Sequence, residues 1–321
     1  MFTINDSLKK TPKMMREVYC ETLIELAREN QDIIVLDADL VSSSGMKPFF
    51  KEFPERAIQC GIAEANMVGI SAGLSSMGKI PFAHSFGCFA SRRVCDQIMI
   101  SAAYAQQNVR IIGSDPGVTA AYNGGTHMPF EDMGVLRSIP EITLIELTDT
   151  TMIKDIVAQL SKLYGVYYLR MARKNVIAVY KEGSTFEIGR GNTLADGRDV
   201  TIIASGIMVA EALEAAEQLK EEGVSARVVD MFTWKPIDTQ LVEYCAVTTG
   251  AIVTAENHNI IGGLGSAVAE ALVQTHPVPI EMVGVKDRFG QVGTEDFLRK
   301  EYDLTASAIV DAAKRAIIRK K

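Results

Sequence analysis

The sequence has no Cys-x-x-Cys pair, no unbroken apolar run approaching the roughly 20 residues of a membrane-spanning helix, and no block of like charge. Each absence excludes something. Its five cysteines, Cys20, Cys60, Cys88, Cys95 and Cys245, are odd in number and scattered, which excludes a disulfide framework and fits reduced thiols used as small core residues. The opening stretch, MFTINDSLKKTPKMMREVYC, lacks the apolar core of a secretion signal, so nothing in it targets or anchors the chain and a cytoplasmic location is expected. With 33 Lys+Arg against 40 Asp+Glu, the net charge of −7 argues against a nucleic-acid footprint. The four histidines, His84, His127, His258 and His276, are too dispersed to suggest a metal site, and no His/Cys/Asp/Glu cluster has ligand spacing.

What is present is globular: 321 residues, 47% of them hydrophobic, enough for two domains with proper cores. Short apolar runs alternate with helical patterns at 14–29, 63–77, 92–106 and 151–163, the runs being DIIVLDA, KIPFAHSF, VRIIGS, TLIEL and GVYYLRM. This alternation predicts a mostly parallel sheet covered by helices on both faces. The polar, Gly-rich stretch 181–199 reads as a crossing to a second α/β unit, with VTIIAS, SARVVDM, AIVTAE and IEMVGV as strands and helices at 207–221, near 237–245, 265–275 and 306–319. The expected organisation is two doubly wound α/β domains, residues 1–185 and 186–321.

Ligands of open parallel sheets bind beyond the carboxyl ends of the strands. Those positions in the first domain offer Asp39 and VSSSG with Ser43, then Phe86 and Phe89, then DPGVTAAYNGGTHMPFED with Asp115, Asn123 and His127, and finally Arg173. Glu64, in CGIAEANMVG, stands at the start of an apolar helical pattern, where a carboxylate needs a partner or a chemical use. Taken singly, each has an ordinary explanation. Glu64 could cap its helix, the i, i+3 phenylalanines could be core, GGTH could be a turn, Arg173 could be a surface charge, and GGLG at 262–265 could serve helix packing as well as a phosphate.

In combination, VLDADL, GIAEANMVGISAGLSSMGKIPFAHSFGCF, GVTAAYNGGTHMPFEDMGVLRSIP, LRMARKN and NHNIIGGLGSAV resemble the C-terminal half of transketolase, from about Lys13 to Ala313. The arrangement is similar to the small subunit of a split, two-subunit transketolase: a pyrimidine-binding domain followed by a transketolase C-terminal domain. The resemblance implies that Glu64 hydrogen-bonds the aminopyrimidine ring of thiamine diphosphate and promotes proton removal from its thiazolium carbon. It implies that Phe86 and Phe89 hold the pyrimidine ring and that Asp39 lies near the cofactor and subunit contact. Ser43 and Arg173 would contact the phosphate of the donor sugar, and His127 the substrate's ketol end. The reaction implied is transfer of a two-carbon ketol unit from a ketose to an aldose.

Departures from the family pattern accompany the likeness. Twelve positions before His127, Asp115 stands where a phosphate-binding histidine is usual; AYNG replaces GEDG, so that Asn123 replaces an acidic contact; and a third pocket aromatic is missing, with Arg92 and Arg93 nearby. These changes point to a donor other than the usual pentulose phosphate. The chain contains no Gly-Asp-Gly, the motif that holds diphosphate and metal. The resemblance therefore implies that Mg²⁺ (or Ca²⁺ or Mn²⁺) and diphosphate are held by an N-terminal partner subunit, in a heterotetramer of two of each. Three other readings remain open at this level: a deoxyxylulose-phosphate-synthase-like enzyme, a 2-oxo acid dehydrogenase β subunit, and a non-catalytic regulatory subunit.

Overall fold

The computed structural model describes residues 1–320. Its larger sheet has seven strands, in the order Thr233–Lys235, Ile142–Glu146, Val166–Met171, Val109–Ser114, Ile80–Phe86, Ile33–Asp37 and Ala57–Gln59. All neighbours are parallel except the first pair. Successive residues of one strand feed opposite layers, as period-two geometry requires. Ile33 and Val35 pack with helices Met15–Glu29 and Thr150–Leu160, whereas Ile34 and Leu36 pack with Met67 of helix Glu64–Ser76. Both faces are thus covered, which is why the strands read as continuous apolar runs rather than alternating ones.

The smaller sheet runs Ile280–Val285, Ile252–Asn259, Val200–Ala204, Ala226–Asp230 and Asn192–Ala195. Its first four strands are parallel and its last antiparallel. Helices Met208–Glu221 and Ala306–Ile318 contribute to one core, and Thr239–Thr249 and Leu264–Gln274 to the other. The expected fold class, two α/β units with mostly parallel sheets, is what the molecule has.

Two local expectations need correction, and one strand is not anticipated. The polar crossing 181–199 contains the strand Asn192–Ala195, in which Asn192 and Leu194 turn inward while Thr193 faces out. The helix expected over 92–106 is broken into a 3₁₀ turn Arg92–Val94, one α-turn Cys95–Gln97 and a π-helical stretch Ile98–Tyr104. Such irregular windings concentrate at functional sites, and this one directly follows the two phenylalanines. The short strand Thr233–Lys235 follows the second unit's Ala226–Asp230 in sequence but adds to the first unit's sheet.

One guanidinium fastens the two units. Arg170 is fully buried; its Nε donates to Asp132 at 2.9 Å, its Nη1 to Glu146, and its Nη2 to the Asn257 carbonyl at 2.9 Å. Glu146 also accepts from Ser205 Oγ, and Asp132 from the Tyr168 hydroxyl. A buried charge satisfied on every side is destabilising to disturb, at about 3–5 kcal/mol when one partner is removed. This network fixes the second unit against the carboxyl ends of the first sheet.

Candidate active site

Four adjacent parallel strands, Ile33–Asp37, Ile80–Phe86, Val109–Ser114 and Val166–Met171, end along one edge of the larger sheet. Asp39, Phe86, Asp115 and Arg173 follow or close these strands, so strand order alone brings them into one row. Asp39 is exposed, with φ +63°, and its N–H donates to Gln59 Oε1 at 2.7 Å. Its buried neighbour Asp37, which sequence reasoning does not single out, accepts from the Leu40 N–H and from Ser44 Oγ, and burial raises its pKa. Asp37 shapes the turn that presents Ser43, whose carbonyl accepts from Arg16 Nη1 at 3.0 Å.

Glu64 opens helix Glu64–Ser76 and is 3% exposed. Its Oε2 accepts a 2.9 Å hydrogen bond from Arg93 Nη1, and the Arg93 guanidinium lies 3.9 Å from the centre of the Phe89 ring. Phe86, Phe89 and His127 form an aromatic triangle with centroid separations of 6.3, 6.0 and 5.2 Å, His127 edge-on to both phenylalanines. His127 closes the 3₁₀ turn Gly125–His127, and its Nδ1 is 2.8 Å from Thr126 Oγ1. Phe86, Phe89 and His127 are therefore in mutual contact, and Arg93 bridges Glu64 to Phe89.

A second cluster lies behind this triangle. Arg173 Nη2 is 3.0 Å from Asp115 Oδ2, and its guanidinium is 5.4 Å from the Phe86 ring centre. The approach is off the line of an N–H, so it is an ion pair without a good hydrogen bond: both Asp115 oxygens and Arg173 Nε lack aligned protein partners. Burial pushes the Asp115 carboxyl up to about 6, against the pull of the Arg173, Lys174 and Arg16 charges. Asp115 has φ +56°, a left-handed conformation rare outside glycine that marks a strained and over-determined loop. His84, on the neighbouring strand and also not singled out by sequence reasoning, is buried with neither ring nitrogen partnered. Burial lowers its pKa to about 3, and Tyr19 stands edge-on to it at 5.6 Å. Asn123, by contrast, is exposed on the rim, at the end of the turn Gly117–Asn123.

The second unit holds this loop in place. Asn257 Oδ1 accepts from the Val118 N–H and its Nδ2 donates to the Pro116 carbonyl, each at 2.9 Å. Gly125 packs so closely on Gly290 that a Cβ would lie 2.2 Å from its carbonyl oxygen. The GGTH glycines therefore do more than supply a turn: one allows two backbones to touch. GGLG at 262–265 is not an open phosphate loop, because the chain fills that place itself. Glu256 accepts from the Leu264 and Gly265 N–H groups at the helix start, and a Cβ on Gly263 would fall 1.9 Å from its Oε2.

Comparison with known proteins bears on what this constellation is. The pyrimidine-binding domain of transketolase matches residues 11–177, and the transketolase C-terminal domain matches residues 189–309. The chain belongs to the transketolase family. A 6-deoxy-6-sulfo-D-fructose transketolase subunit from Clostridium sp. (strain MSTE9) is 49% identical, over 95% of this chain and 95% of that protein. A putative transketolase C-terminal section of Methanocaldococcus jannaschii is 43% identical over 92% and 94%. Human transketolase is 33% identical, but the match covers 94% of this chain and only 49% of the human protein. A solved structure described as a split gene transketolase, inactive beta4 tetramer, superposes with a TM-score of 0.90 at 44% identity, covering 96% of this chain and all of that one. The chain is thus a transketolase subunit of the split type, with an N-terminal partner implied.

Transketolases work with thiamine diphosphate and a divalent metal, and the residues here fit the pyrimidine end of that cofactor. The fit is visible in a stand-in: the planar guanidinium of Arg93 already donates an N–H to Glu64 while lying over Phe89. A planar, N–H-bearing ring asks for those two contacts. Among the described residues no group of three or more His, Cys, Asp or Glu side chains could hold a metal ion. No helix among them is long and apolar enough to cross a membrane.

Proposed function

We propose that this chain is the pyrimidine-binding half of a two-subunit thiamine-diphosphate enzyme that transfers a ketol unit from a ketose carrying a sulfonate, rather than a phosphate, at its far end. The observation that carries the substrate class is the Arg173–Asp115 pair. A phosphate carries about −1.5 to −2 charges at neutral pH and would meet Asp115 as a repulsive neighbour. A sulfonate carries one charge in the same tetrahedral shape, and the Arg173 guanidinium, half-committed to Asp115, suits a monoanion. The similarity to a 6-deoxy-6-sulfo-D-fructose transketolase subunit supports the same choice.

Each residue then has a task. Bound thiamine diphosphate supplies the electron sink that lets the ketol carbon–carbon bond break and form. Glu64 holds the ring nitrogen through a hydrogen bond strengthened by its dry surroundings. Phe86 and Phe89 would line the pocket of the ring, and His127 would place a hydrogen bond at the substrate oxygen where charge develops. Asp39 borders the cofactor and the partner, Ser43 contacts the anionic end of the donor together with Arg173, Asn123 meets a sugar hydroxyl at the rim, and Asp115 accepts from a hydroxyl near the anionic end. Residues 1–185 form the ring-binding domain and residues 186–321 the buttress, with 233–235 exchanged between them. Diphosphate and Mg²⁺ belong to the partner subunit, in a heterotetramer of two of each chain, and the five free cysteines suit a cytoplasmic assembly.

The test is ketol transfer by this chain co-expressed with its diphosphate-binding partner, with thiamine diphosphate and Mg²⁺, comparing 6-deoxy-6-sulfofructose, fructose 6-phosphate, xylulose 5-phosphate and a 2-oxo acid as donors. The sulfosugar should give the highest kcat/KM, lost in Glu64→Ala, and either chain alone should be inactive. Xylulose 5-phosphate as the best donor would overturn the substrate assignment, and turnover of the 2-oxo acid alone would overturn the reaction.

A further inference from the structure

The side chain that engages Glu64 most directly is one that neither the reaction nor the substrate requires. Arg93 lies in the 3₁₀ turn that follows the aromatic pair. Its guanidinium makes two contacts at once: a 2.9 Å hydrogen bond to the carboxylate of Glu64, and a face-on approach at 3.9 Å from the centre of the Phe89 ring. These are the two contacts that a thiamine pyrimidine needs. A guanidinium is planar, delocalised and rich in N–H donors, which makes it a close mimic of an aminopyrimidine edge and face. We infer that Arg93 is a built-in competitor for the ring site, occupying the cofactor's carboxylate and aromatic partners until the ring displaces it. This rests on the reading of Glu64 and Phe89 as the residues that hold the ring.

The geometry favours displacement over a permanent structural role. The Arg93 side chain is 45% exposed while Glu64 is 3% exposed, so the arginine reaches inward from solvent and has an open route back. Its neighbour Arg92 has a different commitment: it pairs with Glu131 and donates to the Thr126 carbonyl beside His127, and so stays with the loop. The consequence is specific. Glu64, a nearly buried carboxylate, would be left alone in the absence of a cationic or N–H-bearing partner, and Arg93 supplies one at the expense of cofactor affinity. The pair also sets an order of assembly, since the partner's diphosphate grip must hold the cofactor while the ring exchanges with the arginine.

The experiment measures thiamine diphosphate binding to the reconstituted two-subunit complex with Mg²⁺ by calorimetry and stopped-flow fluorescence, for wild type, Arg93→Ala and Arg93→Lys. Removing a half-exposed ion pair with its cation–π contact should tighten the dissociation constant about fivefold or more. Arg93→Lys, which keeps the charge but loses the plane, should give a smaller gain, and association should be faster in both. In a Glu64→Ala background the gain from Arg93→Ala should largely vanish. Unchanged or weaker binding by both Arg93 variants, with wild-type binding intact, overturns the inference and leaves the proposed function standing. Failure of the wild-type complex to bind the cofactor overturns both.

Discussion

Arg173 and Asp115 stand 3.0 Å apart at the carboxyl ends of neighbouring parallel strands, one of them 16% exposed and the other 1%. The sheet therefore presents a cation whose charge is partly cancelled from within. Removing the cancellation should widen the donor range. Asp115→Asn is expected to lower KM for xylulose 5-phosphate about tenfold, which corresponds to roughly 1.4 kcal/mol of relieved repulsion, with little change in kcat. Steady-state kinetics on the reconstituted complex decide it, and a higher KM in the variant would show that Asp115 assists the phosphate.

Two buried groups of this pocket act on stability with opposite signs. Asp115 has its pKa raised by burial to about 6 from an ordinary 3.8, so the folded state binds the extra proton; this contribution is complete below about pH 4 and is lost as pH rises through 6. His84 has its pKa lowered by burial to about 3 from 6.5, so stability is lost as pH falls below 6.5 toward 3. Urea unfolding of Asp115→Asn should therefore gain on wild type as pH rises from about 4 to 7. His84→Phe should gain on wild type as pH falls across the same interval. Because a tenfold difference in proton affinity between the folded and unfolded states corresponds to about 1.4 kcal/mol, each gain should reach a few kcal/mol. Parallel curves for variant and wild type would contradict the assignment.

The strands and most helices are legible in the sequence because burial on both faces leaves long apolar runs, and the row of candidate residues is legible because parallel sheets put ligands at carboxyl ends. Other features leave weaker traces. The strand 57–59 has only three residues, and 192–195 lies among glycines and charges, so neither gives a periodic signal. The exchange of 233–235 into the other sheet depends on a pairing that no local pattern encodes. Asp37 does leave a mark as the last residue of DIIVLD, a polar end to a buried run, and so does His84 as the titratable member of FAHSF. The grip of Arg93 on Glu64 leaves none, since a long exposed side chain chooses its partner through the fold and not through spacing.

Gly263 tests whether GGLG is filled by the chain's own carboxylate. A Cβ there would sit 1.9 Å from Glu256 Oε2 and 2.7 Å from His258 Nδ1, two buried groups with nowhere to retreat. Gly263→Ala should destabilise the subunit by about 2–4 kcal/mol in denaturant unfolding, as expected for overpacking that also breaks buried hydrogen bonds. Glu256→Gln, which keeps one acceptor for the Leu264 and Gly265 N–H groups, should cost less. Tolerance of alanine at 263 would mean that the helix start is open to an outside ligand after all.

Asn257 shows how a domain without reacting residues serves the site. Its side chain spans the donor loop, accepting from Val118 and donating to Pro116 across 139 and 141 residues of chain. The loop it clamps contains Asp115 at φ +56° and Ala121 at φ +47°, conformations that persist only when their surroundings impose them. A Cβ on Gly117 would strike Asn257 Oδ1 at 2.1 Å, so the loop and the clamp are fitted to each other without slack. Asn257→Ala removes both hydrogen bonds and leaves the Val118 N–H buried and unpaired, at about 1–3 kcal/mol, while the Pro116 carbonyl keeps the N–H and hydroxyl of Thr119. Asp115 would then relax from its strained conformation and Arg173 would lose its fixed counter-charge, while Glu64, Phe86 and Phe89, held by the first sheet and helix Glu64–Ser76, would stay in place. The expected outcome is a donor KM raised about tenfold or more with the thiamine diphosphate dissociation constant unchanged. Parallel loss of both would mean that the clamp supports the whole site and not the donor loop alone.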